Sequence, residues 1–284
     1  MKWVPITFGV VFGVYALLVM LVGLVFVPAR PRPQTDRDRF VDVLGTRLAY
    51  RLTEGTGPTL ILLHGFGGSL LDWEGMLGRL PCGRLFSIDS IGFGLSGRPN
   101  LTYELETHRR HLVAFMDALG IDTAILVGRS FGASLTLWTA AHTPERIVGA
   151  IAMAPSGLPG ELNAPWPRSF LYRPGFPNSL AAWIAHTPAY VRLFPNSLAR
   201  QALGISGSYD ESFAAAMPKI RQPTLLLWST GDRTAPFSYS QRFRELIPHA
   251  QLITFPDSAG HDVAYAQPEQ AARNICDFVH SLAQ

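Results

Sequence analysis

The stretch ILVGRSFGASL, residues 125–135, decides the fold. An apolar run ends at Gly128, a single serine stands between Gly128 and Gly132, and a helical pattern follows. In a strand–turn–helix setting, G-x-S-x-G describes a turn so tight that side chains at the glycine positions would strike the neighbouring strand and helix. Such a turn holds Ser130 in a strained backbone conformation. It also lifts the hydroxyl above the C-terminal edge of a sheet, where open α/β sheets bind ligands. The helix behind it points its positive end at the same place.

Outward from this turn, the chain repeats one rhythm. TLILLHG, RLFSIDS, TAILVG, IVGAIAMA and PTLLLWS are continuous apolar runs, and AQLITF follows more weakly. Runs of this kind suit strands buried on both faces. Upstream, RFVDVLG and RLAYRLTEG read as two antiparallel strands around a turn at Gly45 and Thr46. HRRHLVAFMDALG, stopped by glycine after Leu119, and ASLTLWTAAH read as helices between strands. The alternation predicts a mostly parallel sheet with helices on both faces.

From Gly157 to Met217 the rhythm stops. Prolines and aromatics dominate, among them Trp166, Phe170, Tyr172, Phe176, Trp183, Tyr190 and Phe194, and short helices fit around Ser179–His186 and Asn196–Leu203. The insertion is too long for a plain loop and reads as a helical lid, or as a peripheral subdomain with its own small core.

A serine is a weak nucleophile until a base, itself held by an acid, activates it. LLLWSTGDRTAP places Asp232 just beyond a buried strand, and FPDSAGHDVAYAQPE places His261 in a loop after the last one. Ser130, Asp232 and His261 thus follow the chain order of a hydrolase triad. LLHGFGGS supplies a glycine turn after another strand. The amides of Phe66 and Phe131 are the expected oxyanion donors, and losing one donor of this kind typically costs about 3–4 kcal/mol. His64 reads as a brace for that loop, and Asp89 as a support for the glycine turn after it. His108, His111, His142, His249 and His280 read as solvated, while His186 lies in the insertion. Asp257 and Asp262 are weaker competitors for the acid. Arg129 either touches substrate or binds a neighbouring carboxylate.

From about Phe40 onward the chain resembles a lid-bearing α/β-hydrolase. HGFGG at 64–68, DSIGFGLSGRP at 89–99, GRSFG at 128–132, GDRTAP at 231–236 and GHDVAYAQPE at 260–269 carry the resemblance. It implies an eight-stranded sheet, a lid at residues 157–219 between core parts 40–156 and 220–284, and the triad roles above. Relatives often have proline where this chain has Ile91, a departure that bears on the shape of the site mouth.

The bulk numbers permit one large domain or two modest ones. The chain has 284 residues, about half of them hydrophobic, and a net charge of +3. No nucleic-acid module, metal-ligand spacing or phosphate loop is present, and no cofactor is expected. Cys82 and Cys276, far apart in sequence, read as two partly buried thiols. No charge occurs from Val4 to Val27. Such a run exceeds the roughly 20 apolar residues that span a bilayer, so residues 1–29 read as one transmembrane helix and 30–39 as a tether. A cleaved signal peptide, with VPA before Arg30, is the main alternative, and a buried core helix the weaker one, because a run this uniformly apolar would need burial on every side. Lys2 on one side and Arg30, Arg32, Arg37 and Arg39 on the other put the domain in the cytoplasm by a small margin, and the topology stays open.

The sequence therefore predicts a membrane-anchored serine hydrolase. Its expected partner is a small, apolar or lipid-derived ester, and its oligomeric state is not fixed. Two alternatives use the same fold: C–C bond hydrolysis of a diketone-like acid, and a weakly catalytic ligand receptor. An aspartate nucleophile, as in haloalkane dehalogenases, is excluded by Ser130.

Overall fold

The computed structural model describes residues 3–25, 32–158, 178–195 and 197–282. In chain order it runs α1 (Trp3–Val25), β1 (Arg39–Val43), β2 (Thr46–Thr53), β3 (Thr59–Leu63), a 3-10 turn (Leu70–Trp73), α2 (Glu74–Leu77) and β4 (Arg84–Ile88). Then come α3 (Leu105–Ala118), β5 (Ala124–Arg129), α4 (Phe131–His142) and β6 (Ile147–Met153). Among the described residues, four short helices precede the next strand: α5 (Asn178–Ala185), α6 (Pro188–Leu193), α7 (Ala199–Gly207) and α8 (Glu211–Ala216). The chain closes with β7 (Thr224–Ser229), α9 (Ser238–Leu246), β8 (Gln251–Phe255), α10 (Val263–Ala266) and α11 (Pro268–Ser281).

All eight expected strands are present in one sheet of order β1-β2-β4-β3-β5-β6-β7-β8. β1 and β2 pair antiparallel around Leu44 and Gly45, and β2 pairs antiparallel with β4, while the rest is parallel. The hairpin turn is one residue earlier than expected: both central residues take positive φ, 49° and 73°, and Thr46 already pairs with Val43. The apolar runs explain the layering. β3, β5 and β7 are buried along nearly their whole length, because α3, α4 and α9 pack on one sheet face and α2, α10 and α11 on the other.

The expected membrane anchor does not survive. Among the described residues, no helix is long and apolar enough to cross a membrane. Part of the apolar run instead packs on the protein itself. Val19 and Val22 of α1 are buried in a cluster with Ile184, Ala185, Tyr190 and Ala202. The Tyr15 hydroxyl donates to Thr187 Oγ1 at 2.8 Å, and the Tyr15 ring meets Trp183 edge-on, centroids 6.2 Å apart.

Four more expectations need amendment or lie out of reach. The two cysteines are joined: Cys82 and Cys276 form a disulfide with Cα atoms 5.4 Å apart, tying the chain before β4 to α11. Sequence distance hid this pair, since 194 residues separate partners that the sheet's α11 flank brings together. The helix expected at Asn196–Leu203 starts later, at Ala199, and runs to Gly207. Trp166, Phe170, Tyr172 and Phe176 lie outside the described residues. Finally, His108 and His111 are buried, not solvated, at 2 and 4% exposure. His108 falls on the apolar stripe of α3 with Leu105, Leu112 and Phe115, a helical spacing that the sequence does display. It packs edge-on against Phe131 at 4.9 Å.

Burial drives the pKa of His108 down to about 3, and His111 and His64 add repulsion. The unfolded ring protonates near 6.5. Between those values the unfolded chain binds more protons, so this ring's contribution to stability is complete above 6.5 and is lost as pH falls toward 3. His108→Leu should therefore flatten the fall in urea midpoint across that window. An unchanged slope would remove His108 from the acid response. Asp38 adds an acid limb at lower pH. Burial alone would raise its pKa, but hydrogen bonds from Arg32 and Arg51 hold it well below the usual carboxylate range.

Asp38 belongs to a buried ionic network. Arg32 Nε donates to Asp89 at 2.9 Å and its Nη1 to Asp38 at 2.9 Å. Arg51 Nε donates to the other Asp38 oxygen at 2.8 Å, and its Nη1 pairs with Glu74. The side chains of Arg32, Asp38, Asp89 and Arg51 are all at most 5% exposed.

Candidate active site

Ser130 occupies the turn between β5 and α4 with φ 52° and ψ −117°, a region that a non-glycine residue enters at a cost of about 1–3 kcal/mol. The flanking glycines are required by space. A Cβ on Gly128 would fall 2.1 Å from the Gly132 carbonyl oxygen, and one on Gly132 would fall 2.2 Å from that of Leu63. The Ser130 amide donates to the Met153 carbonyl at 2.8 Å, which fastens the turn to β6. Phe131 begins α4, so its N–H has no intrahelical carbonyl to meet.

The glycine turn after β3 is oriented by His64. The Ser90 amide donates to His64 Nε2 at 3.1 Å, so that nitrogen is the acceptor and Nδ1 carries the proton. Nδ1 then donates to the Gly65 carbonyl at 2.7 Å. Burial lowers the pKa of His64 and keeps the ring neutral. Because carbonyl and amide of a trans peptide point in opposite directions, pulling the Gly65 oxygen toward His64 turns the Phe66 N–H away from it. Asp89 steadies the same region, accepting from the Leu70 amide at 2.7 Å and the Leu95 amide at 2.8 Å.

Asp232 lies just past β7, its carboxylate fully buried. One oxygen accepts from the amides of Thr234 and Ala235 at 2.8 and 2.9 Å. The turn is closed by the Trp228 indole, which donates to the Ala235 carbonyl at 2.8 Å. The other carboxylate oxygen meets His261 Nδ1 at 2.7 Å. This bond fixes the ring's orientation and assigns Nδ1 its proton, leaving Nε2 with the basic lone pair. The structure thus brings Asp232 and His261 into direct contact. The Ser130 hydroxyl and the His261 ring make no hydrogen bond to each other; their loops meet one residue away, where Arg129 pairs with Asp262.

The other weighed residues have different partners. Asp257 bonds Thr230. His186 places Nε2 2.9 Å from the Leu101 carbonyl oxygen and Nδ1 2.7 Å from that of Ala182. His142, His249 and His280 are exposed as expected. A polar trio was not legible beforehand. Ser134 Oγ donates to the Ser156 carbonyl at 2.7 Å, the Ser156 hydroxyl donates to Tyr209 at 3.0 Å, and the Tyr209 hydroxyl donates to Ser134 Oγ at 3.3 Å. Only Ser134, one helical turn after Ser130, gives a sequence signal for it.

A family model described as the alpha/beta hydrolase family matches residues 60–274. The chain is 30% identical over 251 residues to a 2-hydroxy-6-oxo-2,4-heptadienoate hydrolase of Pseudomonas putida, covering 79% of this chain and 90% of that protein. It is 29% identical over 250 residues to a 2-hydroxymuconate semialdehyde hydrolase of Pseudomonas putida, covering 80% of this chain and 88% of that protein. Among solved structures, the enol-lactonase from Burkholderia xenovorans LB400 superposes with TM-score 0.70 at 21% identity, over 85% of this chain and all of that one.

Proposed function

The chain belongs to the alpha/beta hydrolase family and is a hydrolase, and on that premise we propose that it cleaves a carbon–carbon bond beside a ketone through a Ser130–His261–Asp232 triad. The single observation that carries the triad is the 2.7 Å contact between His261 and the buried Asp232 carboxylate, on the same sheet edge as the strained Ser130 turn. The bond class follows the relatives, which are named for hydrolysis of hydroxy-oxo-dienoate and muconate-type acids. This displaces the ester as the first choice of substrate.

In the proposed reaction Ser130 Oγ bonds to the ketone carbon while His261 Nε2 takes its proton. The amides of Phe66 and Phe131 hold the resulting oxyanion. Collapse breaks the adjacent C–C bond. The electron pair leaves on a carbon that must be stabilised as an enolate, and that carbon takes the proton from the imidazolium. Water, deprotonated by His261, then attacks the acyl-serine and releases a carboxylic acid. Asp232 stabilises the imidazolium in both halves.

We assign residues 157–219 as a lid and 40–156 with 220–284 as the core. Leu198 supports this: its Cδ1 lies 3.5 Å from where a Gly67 Cβ would be, over the oxyanion turn. An apolar ester uses the same groups, with an alkoxide leaving instead of an enolate. Phe66, 39% exposed beside the turn, suits an apolar acyl chain in either reading.

The test is a substrate panel. Turnover of 2-hydroxy-6-oxo-2,4-heptadienoate should exceed that of nitrophenyl esters of any chain length by at least about tenfold in kcat/KM. The reverse order would return the protein to the esterases.

A further inference from the structure

Arg129 is the last residue of β5 and stands directly before Ser130. Its guanidinium is shared between two carboxylates. Nη2 lies 3.0 Å from Asp72 Oδ2, in the 3-10 turn after the oxyanion loop. Nη1 pairs with Asp262, the residue after His261. The same guanidinium presses on the backbone of Gly65, where an added Cβ would sit 3.0 Å from Nη2 and 3.4 Å from Nε. Asp72 in turn presses on Gly68, where a Cβ would fall 2.2 Å from Oδ2. One cation therefore joins the loops after β3, β5 and β8. Exposed ion pairs contribute little, but these three side chains are only 21, 24 and 32% exposed. A planar fork between two carboxylates also fixes direction as well as distance.

The geometry points to Arg129 as a positioning residue that docks the His261 loop and the Phe66 turn onto the nucleophile strand, acting through Asp262 and Asp72. The inference rests on the triad reading above. The need for it is physical. The loop after β8 must cross β7 and β6 to reach β5. The Asp232–His261 bond ties the ring to the β7 turn and leaves its separation from Ser130 unset. The Arg129–Asp262 pair is the contact that spans this gap, one residue from each reacting side chain. Displacing a reacting group by about 1 Å costs on the order of a hundredfold in rate.

The test is the rate at which a fluorophosphonate labels Ser130, measured alongside steady-state turnover. Arg129→Gln should slow labelling by about tenfold to a hundredfold and lower kcat while KM changes by less than about twofold. Arg129→Lys, which keeps the charge but cannot fork between two carboxylates, should recover part of the loss. Asp262→Asn retains the capping group that accepts from the Tyr265 amide and should slow labelling too. The double variant Arg129→Gln/Asp262→Asn should be no slower than Arg129→Gln alone, since both break one linkage. Labelling of Arg129→Gln within about twofold of the wild-type rate, absence of any recovery in Arg129→Lys, or single losses that multiply in the double variant, overturns the inference. If Arg129→Gln does not fold, Asp262→Asn decides alone, and a wild-type rate from it overturns the proposal. A wild-type protein that the probe does not label sinks the triad reading instead.

Discussion

Ser130→Ala is expected to lower kcat by about 10⁴- to 10⁶-fold and to abolish labelling by a fluorophosphonate. The magnitude follows from the division of labour proposed for the triad. With the hydroxyl gone, His261 and Asp232 have no nucleophile to activate, and only substrate binding and the two amide donors remain. The fold should be untouched, because no Ser130 side-chain hydrogen bond holds the turn. What holds it is the backbone: the Ser130 amide to Met153 and the close approach of Gly128 to Gly132. This makes a companion result available. Ser130→Gly should be as inactive as the alanine variant yet more stable than it by about 1 kcal/mol, since glycine occupies φ 52° without strain. Calorimetry of the two variants separates the catalytic role of the side chain from the cost of the conformation that presents it. Wild-type activity in Ser130→Ala would remove the serine mechanism altogether.

The largest stability effect is expected at a residue that belongs to no sequence motif itself. Arg32→Met should destabilise the protein by about 3–5 kcal/mol, the loss seen when one partner of a buried ionic group is removed. Asp38 and Asp89, each with its side chain fully buried, would then lose a charged donor that nothing replaces. Asp89 would keep the Leu70 and Leu95 amides, and Asp38 would keep Arg51. The loss should therefore fall short of unfolding, and should be read from urea midpoints. Arg79→Ala is the control. Arg79 pairs with Glu269 at 2.8 Å, but the two side chains are 44 and 59% exposed, so its removal should cost less than about 1 kcal/mol. Equal effects from the two substitutions would mean that burial is not what gives the Arg32 network its strength.

The contrast between these two predictions tracks what can be read from a linear chain. Strands β3 to β7 were legible because each is a short apolar run closed by glycine, proline or a polar residue, as burial on both faces requires, while β1 and β2 were legible from the glycine turn between them. Ser130, Asp232 and His261, the residues of the proposed triad, stand out in the sequence because each follows the C-terminal end of a strand, the one place where a parallel sheet gathers residues distant in sequence. His108 was misjudged although its helical spacing with Leu105 and Leu112 was in view. A histidine is usually read as polar, and only the rings of Phe93, Tyr103 and Phe131 around it show that it serves as core.

The sequence by itself determined the strands of the sheet, the order of elements along the chain and the tight turn at Ser130, because periodicity and turn chemistry are local properties of the chain. Only the tertiary structure decided the partners of Arg32, Arg129, Asp262 and Cys82, and it replaced the reading of the N-terminal run as a bilayer span with packing against α5 to α7. Those facts depend on which surfaces meet when the sheet closes its layers, and no residue carries that information in its immediate neighbours.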